Sequence, residues 1–340
     1  MRLFFSTNPP LRVFAHSVLC LFLLLFTLSC KSECDYLSEE LLSSNLDVVR
    51  LENKIFDIKN EQDMEAFLAS HQKFTVGYLG LRHREDLPIV SGELLRLYQN
   101  SALVDFNKDT QKQFGDLSQF KVDLAKFFAY VKYHYPKFYI PEVNTVVTGF
   151  HFEKDLFVSD SLVVISLDYF LGSKAKYRPP YFQYFLERYQ SEYIVPMIAL
   201  AVSARYNEID SKDETMLSNM IFYGKSMYFA KKMLPCIADS LITMYTAEQM
   251  KDVNAHAKTI WAHFIDKKLI FETNRHLIDK YVGESPKVSE IGEKCPGRIG
   301  RWLGWEIVKK YMEANPSLKL QELMAEKDAQ KIFSVSKYKP

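Results

Sequence analysis

Neither sign of charge prevails in this chain: 43 Lys and Arg stand against 42 Asp and Glu. Nucleic-acid binding calls for a basic face, and so even a balance supplies none. Cysteine is scarce, five in 340 residues, and the spacing follows no metal-binding pattern. The motifs that announce many enzymes are missing too. No glycine-rich phosphate loop, G-x-S-x-G elbow or H-E-x-x-H occurs. There is no internal repeat, low-complexity linker or block of like charge, and one α+β domain is the simplest account. What remains is a hydrophobic fraction of 48%, with 20 Tyr and 25 Phe. A chain of this size can bury a full core without disulfide staples.

The N-terminus has its own composition. Arg2, Arg12 and His16 precede the apolar run from Val18 to Leu28. Positive residues before a short apolar stretch are the layout of a secretory signal peptide, and the run falls short of the ~20 residues that a membrane span needs. Thr27-Leu28-Ser29 leads directly into Cys30. A small residue before a cysteine at this place resembles the lipobox of bacterial lipoproteins, although Leu sits one place closer to the cysteine than is usual. That resemblance implies residues 1–29 as a lipoprotein signal peptide and Cys30 as the lipidated residue, palmitate being a typical acyl chain. Two other readings stay open: a plain signal peptide cut nearby, and an uncleaved anchor. A single acyl chain binds reversibly, whereas more than one holds firmly at ~0.8 kcal/mol per buried CH₂. Residues 30–46 are polar and Ser/Glu-rich and read as a lipidated tether; residues 47–340 read as the folded envelope domain. Lys31-Ser32-Glu33 lacks the run of acids that resembles a surface-export signal, so the expected orientation is toward the periplasm.

Along the domain, Val48 to Leu51 reads as a strand and Glu61 to Ser70 as a helix, followed by an irregular stretch around Tyr78-Leu79-Gly80. From Ser118, Phe120, Leu124, Phe127, Phe128 and Val131 recur at helical spacing until Pro136. Val143 to Phe152 and Leu156 to Leu167 are β-rich, the latter around the turn-like Ser159-Asp160-Ser161. Helices then dominate, at about Tyr181–Tyr189, Tyr193–Tyr206, Glu214–Met233, Thr246–Asp266, Arg298–Ala314 and Leu318–Ile332. Thr246-Ala247-Glu248-Gln249 has the form of a capping box.

Few residues suggest chemistry. His256 and His263 are two turns apart on one expected helix, too far to share a metal as an i, i+4 pair does, and His134 suits a helix end. Asp168, at the end of a buried strand, is either catalytic or, more commonly for such a residue, the cap of the next turn. The most distinctive string is Cys295-Pro296-Gly297-Arg298-Ile299-Gly300-Arg301-Trp302-Leu303-Gly304-Trp305-Glu306. Gly300 and Gly304 share one helical face, and paired small residues let another element approach closely. Trp302 and Trp305 flank that face, with Arg298 and Arg301 one turn apart. The string reads either as a packed core helix whose arginines bind carboxylates or carbonyls, or as a partner groove with Trp and Arg anchors.

That string, the lipobox-like start, Tyr135-Pro136-Lys137 through Phe150, Ile165 to Gly172, Glu192-Tyr193-Ile194-Val195-Pro196 and the terminal Ser336-Lys337-Tyr338-Lys339-Pro340 resemble the GldB family, gliding-motility lipoproteins of the Bacteroidota. The resemblance covers nearly the whole chain after Cys30. It implies a membrane-tethered protein working with other envelope proteins of the gliding machinery and its associated secretion; it implies no activity and no cofactor. The order of elements also looks like a zinc-peptidase fold without metal ligands. The helix that would carry H-E-x-x-H begins near Ser191 to Pro196 and has no His, and Ile221-Phe222-Tyr223-Gly224-Lys225 has Tyr where active relatives have Glu. Three readings compete: a non-catalytic binding component using a peptidase-like groove, a hydrolase of unrecognised type centred on Asp168 or Glu192, and a structural tether. An apolar or aromatic cleft favours the first, and convergent acids and histidines the second.

Overall fold

Two helices buried on nearly every side form the centre of this protein. The computed structural model describes residues 34–42 and 46–340; the apolar run expected to be a signal peptide, Cys30 and Lys31-Ser32-Glu33 lie outside the described residues. In chain order, β1 (Val48–Arg50) is followed by α1 (Glu61–Ser70), α2 (Leu87–Tyr98), α3 (Ser101–Phe114) and α4 (Ser118–His134). Then come β2 (Glu142–Val146), β3 (Leu156–Val158) and β4 (Leu162–Ser166). The remainder is helical: α5 (Ile194–Ser203), α6 (Met216–Met233), α7 (Ala247–Ala255), α8 (Ala257–Asp266), α9 (Arg275–Val282), α10 (Ile299–Ala314), α11 (Leu320–Ala325) and α12 (Ala329–Ser336), with single helical turns between some of them. This is the expected α+β class, mostly helical with one small sheet.

The sheet runs β1-β2-β4-β3, with β1, β2 and β4 parallel and β3 antiparallel to β4. Ser159-Asp160-Ser161 closes the β3–β4 hairpin: the Ser159 N–H donates to the Leu162 carbonyl. Every residue of β4 is buried, which explains its unbroken run of Leu, Val and Ile. β2 stops at Val146, short of the β-rich stretch expected to reach Phe152. Gly149 and Phe150 both adopt left-handed backbone, at φ 62° and 64°, and end the ladder there.

The compact unit begins at Leu37, not at residue 47. A turn of helix at Glu39–Leu42 follows a buried Leu37, and Leu42 packs on the core; a polar average hid these two apolar residues. Other departures have local causes. α2 and α3 occupy a stretch left without elements by the sequence reading. α3 buries only Leu103, Phe106 and Thr110, a thin stripe, although Asn100 caps it by accepting from the Ala102 N–H. The helix expected over Thr246–Asp266 does start with the Thr246–Gln249 capping box, but it breaks at His256. There the imidazole Nδ1 lies 2.8 Å from the Asp252 carbonyl and the backbone leaves helical values. Of the expected Tyr181–Tyr189 helix only Gln183–Leu186 forms, and Tyr193–Tyr206 shortens to a 3₁₀ turn plus α5. α9 went unread.

The expected Leu318–Ile332 helix is divided into α11 and α12, and the cause lies in another helix. Lys225, 1% exposed, extends from α6 and donates to the carbonyls of Met324 at 3.2 Å, Glu326 at 2.7 Å and Glu208. An ammonium has three donors and no acceptor, so it satisfies carbonyls that a continuous helix would have used. Burial pushes its pKa down to about 8.

α6 and α10 share the largest helix–helix contact among the described residues. They touch backbone to backbone at Gly224 and Gly304. A Cβ on Gly304 would overlap the Met220 carbonyl, and one on Gly224 would overlap the Gly304 carbonyl. Gly300 sits against Val282, Tyr281 and Met220. Trp302 and Trp305 are each 1% exposed, so neither is a surface anchor and both belong to the core. Overfilling such a contact costs ~1–3 kcal/mol. Gly304→Ala is expected to lower the melting temperature, followed by circular dichroism, with Gly224→Ala doing the same. A Gly304→Ala protein melting with the wild type would show that the helices can part freely.

Candidate functional site

The remaining members of the glycine–tryptophan string, Arg298 and Arg301, open onto a groove. Its volume is about 450 Å³, and α5 and α6 supply much of its apolar lining through Met197, Leu200, Phe222 and Met227. Asp155 and Leu156 at the start of β3 also line it, as do Arg188, Tyr189 and Tyr223.

Three guanidinium groups converge here on one carboxylate. Arg188 forms a two-pronged pair with Glu284, at 3.2 and 2.8 Å. Arg301 approaches the same carboxylate at 3.4 Å and Arg298 at 3.5 Å. Burial opposes ionisation of Glu284, but Arg298, Arg188 and Arg301 outweigh it and hold its carboxyl below the usual range. The arginines are fixed mostly through backbone. Arg298 Nη1 and Nη2 donate to the carbonyls of Thr243 and Met244, at 3.2 and 2.9 Å. Arg301 Nε donates to the Val282 carbonyl at 2.6 Å, and its guanidinium lies 4.0 Å from the ring centre of Tyr223. Arg298 opens α10 with φ 61°, facing Met244 at φ 59°. Left-handed backbone costs a non-glycine residue ~1–2 kcal/mol, and here the two carbonyl bonds hold it. Burial lowers the Arg298 pKa to about 10, and Arg188 adds to the effect; it stays charged at neutral pH.

Asp155 is already engaged: it accepts from the Tyr189 hydroxyl at 2.6 Å and from the Leu156 N–H at 2.7 Å. Arg298 and Arg301 are legible in sequence, and Tyr223, which departs there from a peptidase pattern, lies beneath Arg301. Arg188, within the expected Tyr181–Tyr189 helix, and Glu284, in the loop before α10, carry no motif that marks them in sequence.

The other candidates lie elsewhere. Glu192 is exposed in a 3₁₀ turn and does not line the groove. Asp168 is 1% exposed and caps not its own turn but the loop after β2, accepting from the Thr148 hydroxyl at 3.3 Å and the Phe150 N–H at 3.2 Å. It thereby pins the left-handed Gly149-Phe150 pair. His263 Nε2 lies 2.8 Å from the Tyr281 hydroxyl, a packed histidine. Among the described residues no three His, Cys, Asp or Glu side chains gather as a metal site requires.

Burial raises the Asp168 carboxyl to about 6, its hydrogen bonds opposing. A carboxyl raised in the fold contributes stability that is full below its unfolded value and lost as pH rises through about 6, a difference of ~3 kcal/mol. Asp168→Asn removes this titration. Relative to wild type, the variant is expected to gain melting temperature from about pH 4 to about pH 6 and to level off above that. A difference independent of pH would mean that Asp168 is not buried as described.

No curated protein and no solved structure matches the chain, so the zinc-peptidase likeness gains no support from one. The family model described as gliding motility protein GldB matches residues 35–340. The match takes in β1 through α12, with both arginines of α10, the glycine contact beneath them and the whole groove; the chain belongs to the GldB family of gliding motility proteins.

Proposed function

We propose that this protein is a non-catalytic binding component of the gliding machinery, held to the envelope by lipid on Cys30 and facing the periplasm, and that its groove engages another envelope protein. The observation that carries the reading is the groove's chemistry. Its walls are methionine, leucine and aromatic side chains, Arg298 and Arg301 are pinned by backbone carbonyls while Arg188 pairs with Glu284, and the lining acid, Asp155, is bonded to Tyr189. Such an apolar cleft with a few fixed polar groups is suited to recognition. The rival reading of a hydrolase finds less support, since Asp168 is sealed in the core and Glu192 lies on the surface outside the groove. Cys34 and Cys236 are both disulfide-bonded, which suits an oxidising compartment outside the cytoplasm and agrees with export by a signal peptide.

Two experiments test this. Cys30→Ser should abolish labelling by a clickable palmitate analogue and release the protein from the membrane fraction; unchanged labelling removes the anchor on Cys30 from the reading. For the groove, Ala201 lines it from an exposed position on α5, so Ala201→Trp fills the space without entering the core. The variant should accumulate and melt as wild type does, yet lose spreading motility and the partner recovered by crosslinking and C-terminal-tag capture. A stable Ala201→Trp protein that keeps both would overturn the groove's role.

A further inference from the structure

We propose that the groove binds an extended peptide segment of the partner through a carboxylate of that segment, which the Arg188, Arg298 and Arg301 cluster receives while the peptide backbone adds to the free edge of β3. This rests on the binding reading above and deepens it by naming the chemistry of what is bound.

The first observation is a charge imbalance. Glu284 is the carboxylate within ion-pair distance of all three guanidinium groups, and no other acid pairs with them among the described residues. Their side chains are only 10–16% exposed. Like charges gathered out of water repel and lose hydration, so a cluster with more cations than anions favours a further anion. Donors remain for it: Arg301 Nη2 and Arg188 Nε bond to no protein acceptor among the described residues. Planar guanidinium forks suit carboxylates particularly well.

The second observation is independent and concerns the strand beside the cluster. β3 is the outer strand of the sheet, paired only through β4 among the described residues. Asp155 and Ser159 bond to Ser166 and Leu162, so the alternation of an antiparallel ladder turns the backbone groups of Leu156 and Val158 outward. Asp155 occupies the Leu156 N–H; the Leu156 carbonyl and both groups of Val158 bond to no protein group among the described residues. Leu156 and Val158 are half-buried, and Leu156 lines the groove. An unpaired edge of this kind is where an extended peptide adds as a further strand, its main chain giving affinity and its side chains entering adjacent pockets. The apolar wall of Met197, Leu200 and Met227 would take one such side chain. An acyl chain would use the apolar wall and the arginines but leave the strand edge unused, so the edge favours peptide.

The carboxylate could be a chain terminus or a glutamate side chain, and the test separates them. Full-length mature protein in detergent would be titrated against three fluorescein-labelled hexapeptides of alternating valine and threonine, read by anisotropy. One has a free C-terminal carboxylate, one is amidated, and one is amidated with an internal glutamate. At least one acidic peptide should bind tenfold or more tightly than the neutral one and weaken with added salt. The free-carboxylate peptide leading would assign terminus capture, the glutamate peptide leading would assign side-chain capture. Arg301→Gln and Arg188→Gln should each cut that affinity about tenfold, whereas Arg301→Lys should retain part of it; melting temperatures establish that the variants fold. Equal binding of all three peptides, or none at millimolar concentration, overturns the proposal, as does Arg301-dependent binding of oleate or phosphatidylglycerol vesicles without peptide binding. Failure here with Ala201→Trp still losing its partner sinks only the peptide chemistry; an inert Ala201→Trp sinks the binding reading itself.

Discussion

The crossing of α6 and α10 sets the position of nearly everything else. Two helices that meet through backbone at Gly224 and Gly304 approach more closely than side chains allow, and that leaves the neighbouring residues no freedom of register. Trp302 and Trp305 are driven into the core on either side. Tyr223, one residue before Gly224, and Arg301, three before Gly304, then come face to face at the groove.

The groove combines this rigidity with an electrostatic asymmetry. Hydrogen bonds from Arg298 and Arg301 to the carbonyls of residues 243, 244 and 282 tie three separate chain segments together, so the cations are held in place without a full complement of acids. Charge fixed in this way costs stability in the absence of a counter-ion, but it needs no reorganisation when one arrives. Met197 and Met227 nearby have flexible side chains that adapt to irregular shapes. The site therefore has a stiff polar end and a compliant apolar one.

What could be read from sequence was whatever short-range pattern determines. The stripe of Leu124, Phe127, Phe128 and Val131 placed α4, Thr246 and Gln249 placed the start of α7, and the i, i+4 glycines marked α10 as a close-packing helix. The split between α11 and α12 was invisible because its cause, Lys225, is about a hundred residues earlier in the chain. The end of β2 depends on Asp168 pinning Phe150, again a partner from a later segment. At the site, two of three arginines were legible because they share a motif with glycine and tryptophan. Arg188 and Glu284 belong to unremarkable stretches and acquire meaning only when the fold brings them together.

Lys225 has one more consequence, for the order in which the structure can be completed during synthesis. Its ammonium sits in the middle of the fold, yet two of its three carbonyl acceptors belong to residues 324 and 326. A growing chain that ends before α11 has all of α6 and α10 available but leaves that charge facing an apolar interior with one acceptor. The seam around Lys225 therefore closes only once residues 324 and 326 are present, and a chain released from synthesis before that point leaves it open beside α6.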